Sequence, residues 1–331
     1  MSGKKNRKEE RLMFMREDIK PLYMYAGGKA KLIKHYKDVI PQPEKTQKYV
    51  EPFFGGGALW THYVNGNGGI HSHINDVNSE LMSMLQAIKK DTQEFYSQVS
   101  LLLDEYFSLP FDGDKTYRKQ WYYEQRQKYW DSQNDALLFV LMRLGFNGIW
   151  QTCKSSHGLY GTPAGLLNHK KPEQIIEKEQ LFGWAKSLQN TTIHSGSYEE
   201  MDFDPQDSFI FCDPPYRDSF TTYGTGFSDE NQKQVCDWMI EKSQQGATVA
   251  LTNRCVEGET FFEDILTPHG FNFHYIPVVY TAGRRKKTAE GFSAKPAIEF
   301  IAISQQAIEK ATEFSVAFVF FYLLICTIVF F

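Results

Sequence analysis

The sequence predicts an α/β protein built on an open, largely parallel sheet, and three stretches predict it. Residues 48–54 read as a strand running into Gly55-Gly56-Gly57, with a helix from Ala58 behind it. Residues 207–212 form a short apolar run that stops at Asp213-Pro214-Pro215-Tyr216. From Pro172 onward, helical and strand patterns alternate: a helix over 173–189, a strand over 191–194, the apolar run, a helix over 230–245 and a strand over 247–252. A turn is expected at Asn253, and two late strands over 271–281 and 297–304.

The length fits two domains, or one large domain with an insertion. The chain has 331 residues, 42% of them apolar and 15% aromatic, ample for a sizeable core. The five cysteines (153, 212, 236, 255 and 326) contain no C-x-x-C pair, which argues against a disulfide framework and a zinc ribbon. That usage suits a reducing compartment. The nine histidines have no ligand spacing, so no metal is expected. Residues 1–48 carry 13 Lys and Arg against 6 Asp and Glu, +7, in a chain of net charge −4. A basic end on an acidic protein suits a polyanion, and equally a solvated tail. Residues 314–331 hold 18 residues without a charge, just long enough to cross a bilayer. A membrane anchor, an added extension and a buried element all remain readings of it.

Taken in order, Tyr25-Ala26-Gly27-Gly28-Lys29 precedes a helical pattern through Ile33 and Tyr36. Its glycines let backbone approach a ligand, or make a plain turn. The strand, glycine loop and helix over 48–63 have the geometry that cradles a nucleotide in doubly wound folds. About 20 residues on, His73-Ile74-Asn75-Asp76 ends a second strand with a carboxylate suited to ribose hydroxyls, or to capping a helix. The G-x-G-x-x-G fingerprint for a pyrophosphate is missing, which favours S-adenosyl-L-methionine over a nicotinamide dinucleotide. Residues 78–107 read as helical, and residues 136–144 as another apolar helix. Between them, residues 115–130 interleave Arg118, Lys119, Arg126 and Lys128 with six aromatic rings, a composition that binds nucleic acid or packs on neighbouring helices. The polar, glycine-rich stretch 146–165 opens with an Asn-Gly turn and suits a loop or hairpin, either groove-entering or bare. Arg284-Arg285-Lys286-Lys287 is solvated, or contacts phosphates.

Asp213-Pro214-Pro215-Tyr216 is where the chemistry concentrates. Two prolines cannot continue a central strand, so the chain leaves the sheet at its carboxyl edge, where open α/β sheets bind ligands. Asp213 and the Pro214 carbonyl can accept hydrogen bonds from an exocyclic amine while the Tyr216 ring stacks on a planar base. An ordinary turn is the plainer alternative for these four residues alone.

In this order the motifs YAGGK (25–29), EPFFGGGA (51–58), IND (74–76), GFNGI (145–149), DPPY (213–216), LTN (251–253) and GRRKK (283–287) resemble the Dam-type, D12-class DNA adenine-N6 methyltransferases. The resemblance covers residues 22–304. It implies a seven-stranded, Rossmann-like methyltransferase sheet over residues 21–76 and 173–304, with a mostly helical target-recognition insertion over 77–172. A basic tail (1–20) and an apolar tail (305–331) flank them. It implies a site-specific enzyme, of the kind found in restriction-modification systems, that methylates N6 of a flipped adenine in double-stranded DNA. Donor contacts are expected at Tyr25, Gly28, Lys29, Glu51, Phe53, Gly55, Gly57, Asp76, Ser197 and Asp213. Catalysis is expected at Asp213, Pro214 and Tyr216, and DNA contacts at Asn147, Ile149, Gln151, Arg284 and Lys286. A monomer or weak dimer is expected.

Three residues depart from the family's pattern. Ser197 stands where an acid is usual, Met24 where a cation is common, and Gln151 where a base-reading Arg is common. The last two fall on recognition positions, so a GATC target does not follow. Rival readings are a methyltransferase acting on RNA or on a protein amide, and a non-catalytic DNA-binding relic. Asp rather than Asn at 213, together with the long insertion, favours DNA.

Overall fold

The computed structural model describes residues 18–25, 27–111, 113–217, 227–280, 287–288, 291–292 and 295–305. Residues 1–17 of the basic tail, Arg284, Lys286 and the apolar stretch 314–331 lie outside the described residues. The described chain divides into two compact units, one holding residues 41–201 with 18–37, the other residues 202–217 and 227–305 with 38–40.

The first unit begins with a single turn, α1 (Ile33–Tyr36), and then alternates strand and helix: β1 (Lys48–Glu51), α2 (Ala58–Gly66) and β2 (His71–Ile74). Five helices follow: α3 (Ser79–Lys90), α4 (Thr92–Ser108), α5 (Thr116–Ser132), α6 (Asp135–Leu144) and α7 (Lys178–Leu188), before β3 (Thr191–Ile193). β1 and β3 both pair parallel with β2, giving the order β3-β2-β1. The short runs pair this way because helices intervene and cover their faces.

The single helix expected over 78–107 is two helices. Asp91 leaves helical geometry at φ −148° and its carboxylate accepts from Glu94 N at 3.0 Å, capping α4 at the point where α3 ends. Asn78 and Asn134 cap α3 and α6 in the same way. The expected helix over 173–189 shortens to α7, preceded by a 3-10 turn at Pro172–Gln174. Eight of the ten residues of α6 are buried, as its apolar sequence predicts. Trp60 of α2 packs against Trp184 of α7 with ring centroids 4.7 Å apart, and Phe54 lies edge-on to both. Each such fully buried large side chain contributes on the order of 1.5–3 kcal/mol.

The second unit holds β4 (Ser208–Cys212), α8 (Asp229–Gln244), β5 (Thr248–Arg254), α9 (Phe261–Leu266), β6 (Phe271–Tyr280), the two-residue strands β7 (Lys287–Thr288) and β8 (Gly291–Phe292), and β9 (Lys295–Ser304). β4 is buried throughout and runs parallel to β5. β5 and β6 both pair antiparallel with β9, so the order is β4-β5-β9-β6. With β1 to β3 this makes the seven main strands expected, mixed rather than uniformly parallel in direction. The turn expected at Asn253 is strand instead, because β9 offers partners as far as Arg254, which pairs with Glu299.

Candidate active site

The glycine loop of the first unit is shaped by its neighbours. Gly55 and Gly57 adopt φ +48° and +62°, conformations that a side chain resists. A Cβ on Gly55 would press on the Tyr25 ring at 3.1 Å, one on Gly56 on Tyr25 Cβ at 3.0 Å, and one on Gly57 would come within 2.4 Å of Phe54 Cζ. The structure therefore brings the first motif and the glycine loop together, with Tyr25 against the loop. The backbone turn at Tyr25–Gly28 closes through Gly28 N donating to Tyr25 O at 3.1 Å. Lys29 is 5% exposed and donates from Nζ to Gly27 O at 2.8 Å.

Asp76 ties this loop to β2. Its Oδ2 accepts from Gly55 N at 2.8 Å and its Oδ1 from Asn78 N at 2.9 Å. Burial pushes its carboxyl above the usual carboxylate range, while these two N–H groups hold it down. Each oxygen keeps a second lone pair for a hydroxyl donor. Glu51, 3% exposed, accepts from Tyr49 Oη at 2.8 Å. Burial raises the Tyr23 phenol well above its usual range, with the charges of Asp76 and Glu51 adding to the effect. Phe53 lies against Tyr198 with ring centroids 5.2 Å apart. Ser197, in the position where an acid was expected from the resemblance, caps the turn Tyr198–Glu200 by accepting from Glu199 N at 3.3 Å. Asn75 Oδ1 is buried without a hydrogen-bond partner among the described residues.

In the second unit the chain leaves β4 at Asp213 and is fixed at almost every residue. Thr252 Oγ1 donates to Asp213 Oδ1 at 2.9 Å. Gln232 Nε2 of α8 donates to Pro215 O at 2.7 Å, and Tyr216 Oη donates to Glu299 Oε2 at 2.7 Å. Asn253 Oδ1 accepts from Arg217 N at 3.1 Å. Arg217 forms a two-pronged ion pair with Asp229 at 2.7 and 2.8 Å and also contacts Glu259, which draws its guanidinium still more strongly into the charged form. Gln232 and Asn253 are both 0% exposed, so each of their lost bonds would leave a buried polar group, at about 1–3 kcal/mol. The arrangement presents a carboxylate, a rigid carbonyl and an aromatic ring from an immobile exit, which is the equipment for holding a planar amine.

A model of the family described as D12 class N6 adenine-specific DNA methyltransferase matches residues 25–282. The chain belongs to this family. It is 29% identical over 253 residues to the type II methyltransferase M.MjaIII of Methanocaldococcus jannaschii, covering 71% of this chain and 84% of that one. It is 27% identical over 289 residues to the type II methyltransferase M1.LlaDCHI of Lactococcus lactis, covering 82% and 92%. The DNA adenine methylase of Escherichia coli K12 is 29% identical over 233 residues, covering 66% and 76%.

In this methyltransferase the stretch 146–165 is built on α5 and α6. Asn147 sits at φ +53° inside a 3-10 turn, Phe146–Gly148, and is exposed; Ile149 and Gln151 are half-buried. A Cβ on Gly148 would meet Met24 Cβ at 2.5 Å, so Met24, itself 63% exposed, lies against the start of this stretch. Gln151 is held by its backbone: its N donates to Thr162 Oγ1 at 3.3 Å and its O accepts from Gly161 N at 2.8 Å. The return strand pairs only at Gly145 and Ala164 among the described residues, so the stretch is a loop with one bridge rather than a regular hairpin.

The basic, aromatic helix α5 holds that loop. Arg126 Nη1 donates to the carbonyls of Gly161 and Thr162, and Trp130 Nε1 to that of Tyr160. Arg118, 3% exposed, donates to Leu167 O and His169 O, with its guanidinium 3.9 Å from the Phe111 ring centroid. The helix period puts these two arginines on the packed side and leaves Lys115, Lys119 and Lys128 exposed. Gln232 and Glu299 carried no sequence signal: each is a polar residue in an otherwise apolar or amphipathic run, and its partner is far away in the chain.

Replacing Asp76 tests its place in the donor site. Asp76→Ala removes two bonds that hold the loop, and donor affinity by calorimetry is expected to fall by about 10- to 100-fold, equivalent to roughly 1.5–3 kcal/mol. Unchanged affinity would remove Asp76 from the donor site.

Proposed function

We propose that this methyltransferase moves a methyl group from S-adenosyl-L-methionine to N6 of an adenine flipped out of double-stranded DNA. The observation that carries the reading is the exit of β4, where the carboxylate of Asp213 is fixed by Thr252 beside the Pro214 carbonyl and the Tyr216 ring. Asp213 and Pro214 O accept hydrogen bonds from the adenine amine and turn its nitrogen lone pair out of conjugation with the ring. Tyr216 stacks on the base, supplying about 1–3 kcal/mol toward an unstacking cost of a few kcal/mol. This is positioning rather than covalent catalysis, and aligned geometry contributes on the order of 7–11 kcal/mol.

The first unit fits the donor. Its glycine loop leaves no room for side chains at 55 and 57, and Asp76 has acceptor capacity for ribose hydroxyls. Phe53 and Tyr198 pair their rings as a place to flank a purine, and Tyr25, Gly28, Lys29, Glu51 and Ser197 are the other donor contacts of this unit; Asp213 is the donor contact carried by the second unit. When bound, S-adenosyl-L-methionine supplies an electrophilic sulfonium methyl.

Residues 77–172 are the target-recognition segment in this reading, and residues 21–76 and 173–304 the catalytic part. Duplex DNA is read through Asn147, Ile149 and Gln151, with Arg284 and Lys286 on phosphates. The relatives from bacteria support work in the cytoplasm of a bacterial or phage-infected cell. Among the described residues no helix is long and apolar enough to cross a membrane.

Base-modification sequencing of DNA from cells expressing the chain tests the function: N6-methyladenine in a defined context is expected, and its absence, with methyl groups found on RNA or protein instead, overturns it. If the donor binds and nothing is methylated, the chain is a binding relic. A Gln amide matches adenine N6 and N7 better than guanine, so the methylated context is expected to be relaxed or different from GATC. Gln151→Arg is expected to raise discrimination at one base pair by about 1–3 kcal/mol. Modification confined to GATC in both proteins would sink that part.

A further inference from the structure

Tyr216 presents a puzzle that stacking alone leaves open, because a ring that only stacks has no use for its hydroxyl. That hydroxyl donates to Glu299 Oε2 at 2.7 Å, and Glu299 is 4% exposed. Glu299 lies in β9 and pairs with Arg254 of β5 on one side and Ile276 of β6 on the other. Its backbone is therefore held by two strands.

The register adds a second observation. Thr252 pairs with Ile301 and Arg254 with Glu299, and residues two apart on a strand share a face. Thr252 and Glu299 thus project from one face of the β5–β9 pair, and they grip Asp213 and Tyr216 respectively. Two adjacent strands carry the two clamps for the two side chains that handle the base.

We propose that Glu299 is a positioning residue, which fixes the Tyr216 ring in the orientation that stacks on the acceptor adenine. A phenol donating to a carboxylate forms a bond roughly twice as strong as a neutral pair, enough to select one ring rotamer at a half-buried residue that follows two prolines. The proposal rests on the stacking role given to Tyr216 above.

The test is a double-mutant cycle on methyl transfer to duplex DNA, using genomic DNA as acceptor and donor affinity as a control. Glu299→Leu removes the acceptor and is expected to lower kcat by about 10- to 100-fold with donor affinity unchanged. Glu299→Gln keeps an acceptor oxygen and is expected to restore kcat to within about threefold. Tyr216→Phe, which removes the donor from the other side, is expected to lose as much as Glu299→Leu, and the double variant no more than either. Losses that multiply, Glu299→Gln as poor as Glu299→Leu, or Tyr216→Phe at full activity each overturn the proposal. The Phe variant leaves the buried strand untouched, so the proposal stays testable if Glu299→Leu fails to fold. Tyr216→Ala separates the two claims: full activity there removes the stacking role itself, whereas an inactive Ala variant beside an active Glu299→Leu removes only the role of Glu299.

Discussion

Asp213→Ala is expected to lower methyl transfer by about 10²- to 10³-fold, the loss typical of removing one preorganised group at the reacting centre, and to lower donor affinity far less, because the other donor contacts remain. The physical reason is that Asp213 is held rather than merely present. Thr252 Oγ1 fixes one carboxylate oxygen, β4 is buried along its whole length, and Gln232 and Asn253 hold the backbone two and four residues on. The replacement removes two acceptor oxygens from a site whose geometry otherwise survives, because the exit is pinned independently at Pro215, Tyr216 and Arg217. Calorimetry with S-adenosyl-L-methionine and single-turnover transfer measure the two halves separately. Activity within about tenfold of wild type, or roughly 1.4 kcal/mol, would assign the amine contact to another residue.

Gly57→Ala is expected to cost about 2–5 kcal/mol of stability. Its φ of +62° charges an L-residue about 1–2 kcal/mol. The new Cβ would stand 2.4 Å from Phe54 Cζ, and that ring cannot step aside, being 2% exposed and wedged against Trp60 and Trp184. Forcing extra volume into such packing costs about 1–3 kcal/mol more. The melting temperature should fall by about 5–15 °C, and donor affinity should fall with it because α2 starts from this residue. A variant that melts with the wild type would mean that Phe54 repacks freely, and the loop would then owe its shape to something other than these rings.

Local sequence determined most of what places the chemistry. The glycine run after an apolar strand, the carboxylate at the end of the next strand and the double proline after β4 each constrain the backbone within a few residues, so the turn at Gly55, the strand end at Asp76 and the exit at Asp213 were legible without tertiary structure. The same held for α6, whose unbroken apolar run can only be buried. The alternation of strands and helices sufficed for the α/β class.

What only the tertiary structure decided was which polar side chains face inward and whom they meet. Arg118 and Arg126 have a composition suited to nucleic acid, yet their partners are the carbonyls of a loop 35 to 51 residues away. The break at Asp91 was invisible because both flanking helices keep an apolar period, and only the capping geometry marks it. Asn253 reads as a turn residue, but the partner strand β9 extends β5 through it. Glu299 meets Tyr216 across 83 residues of chain. Periodicity records which face of an element is buried, since burial of apolar surface acts locally and without direction. A hydrogen bond between distant residues depends on strand order and register, which no local pattern carries, and that is why the acid of Glu299 was silent in the sequence and decisive in the fold.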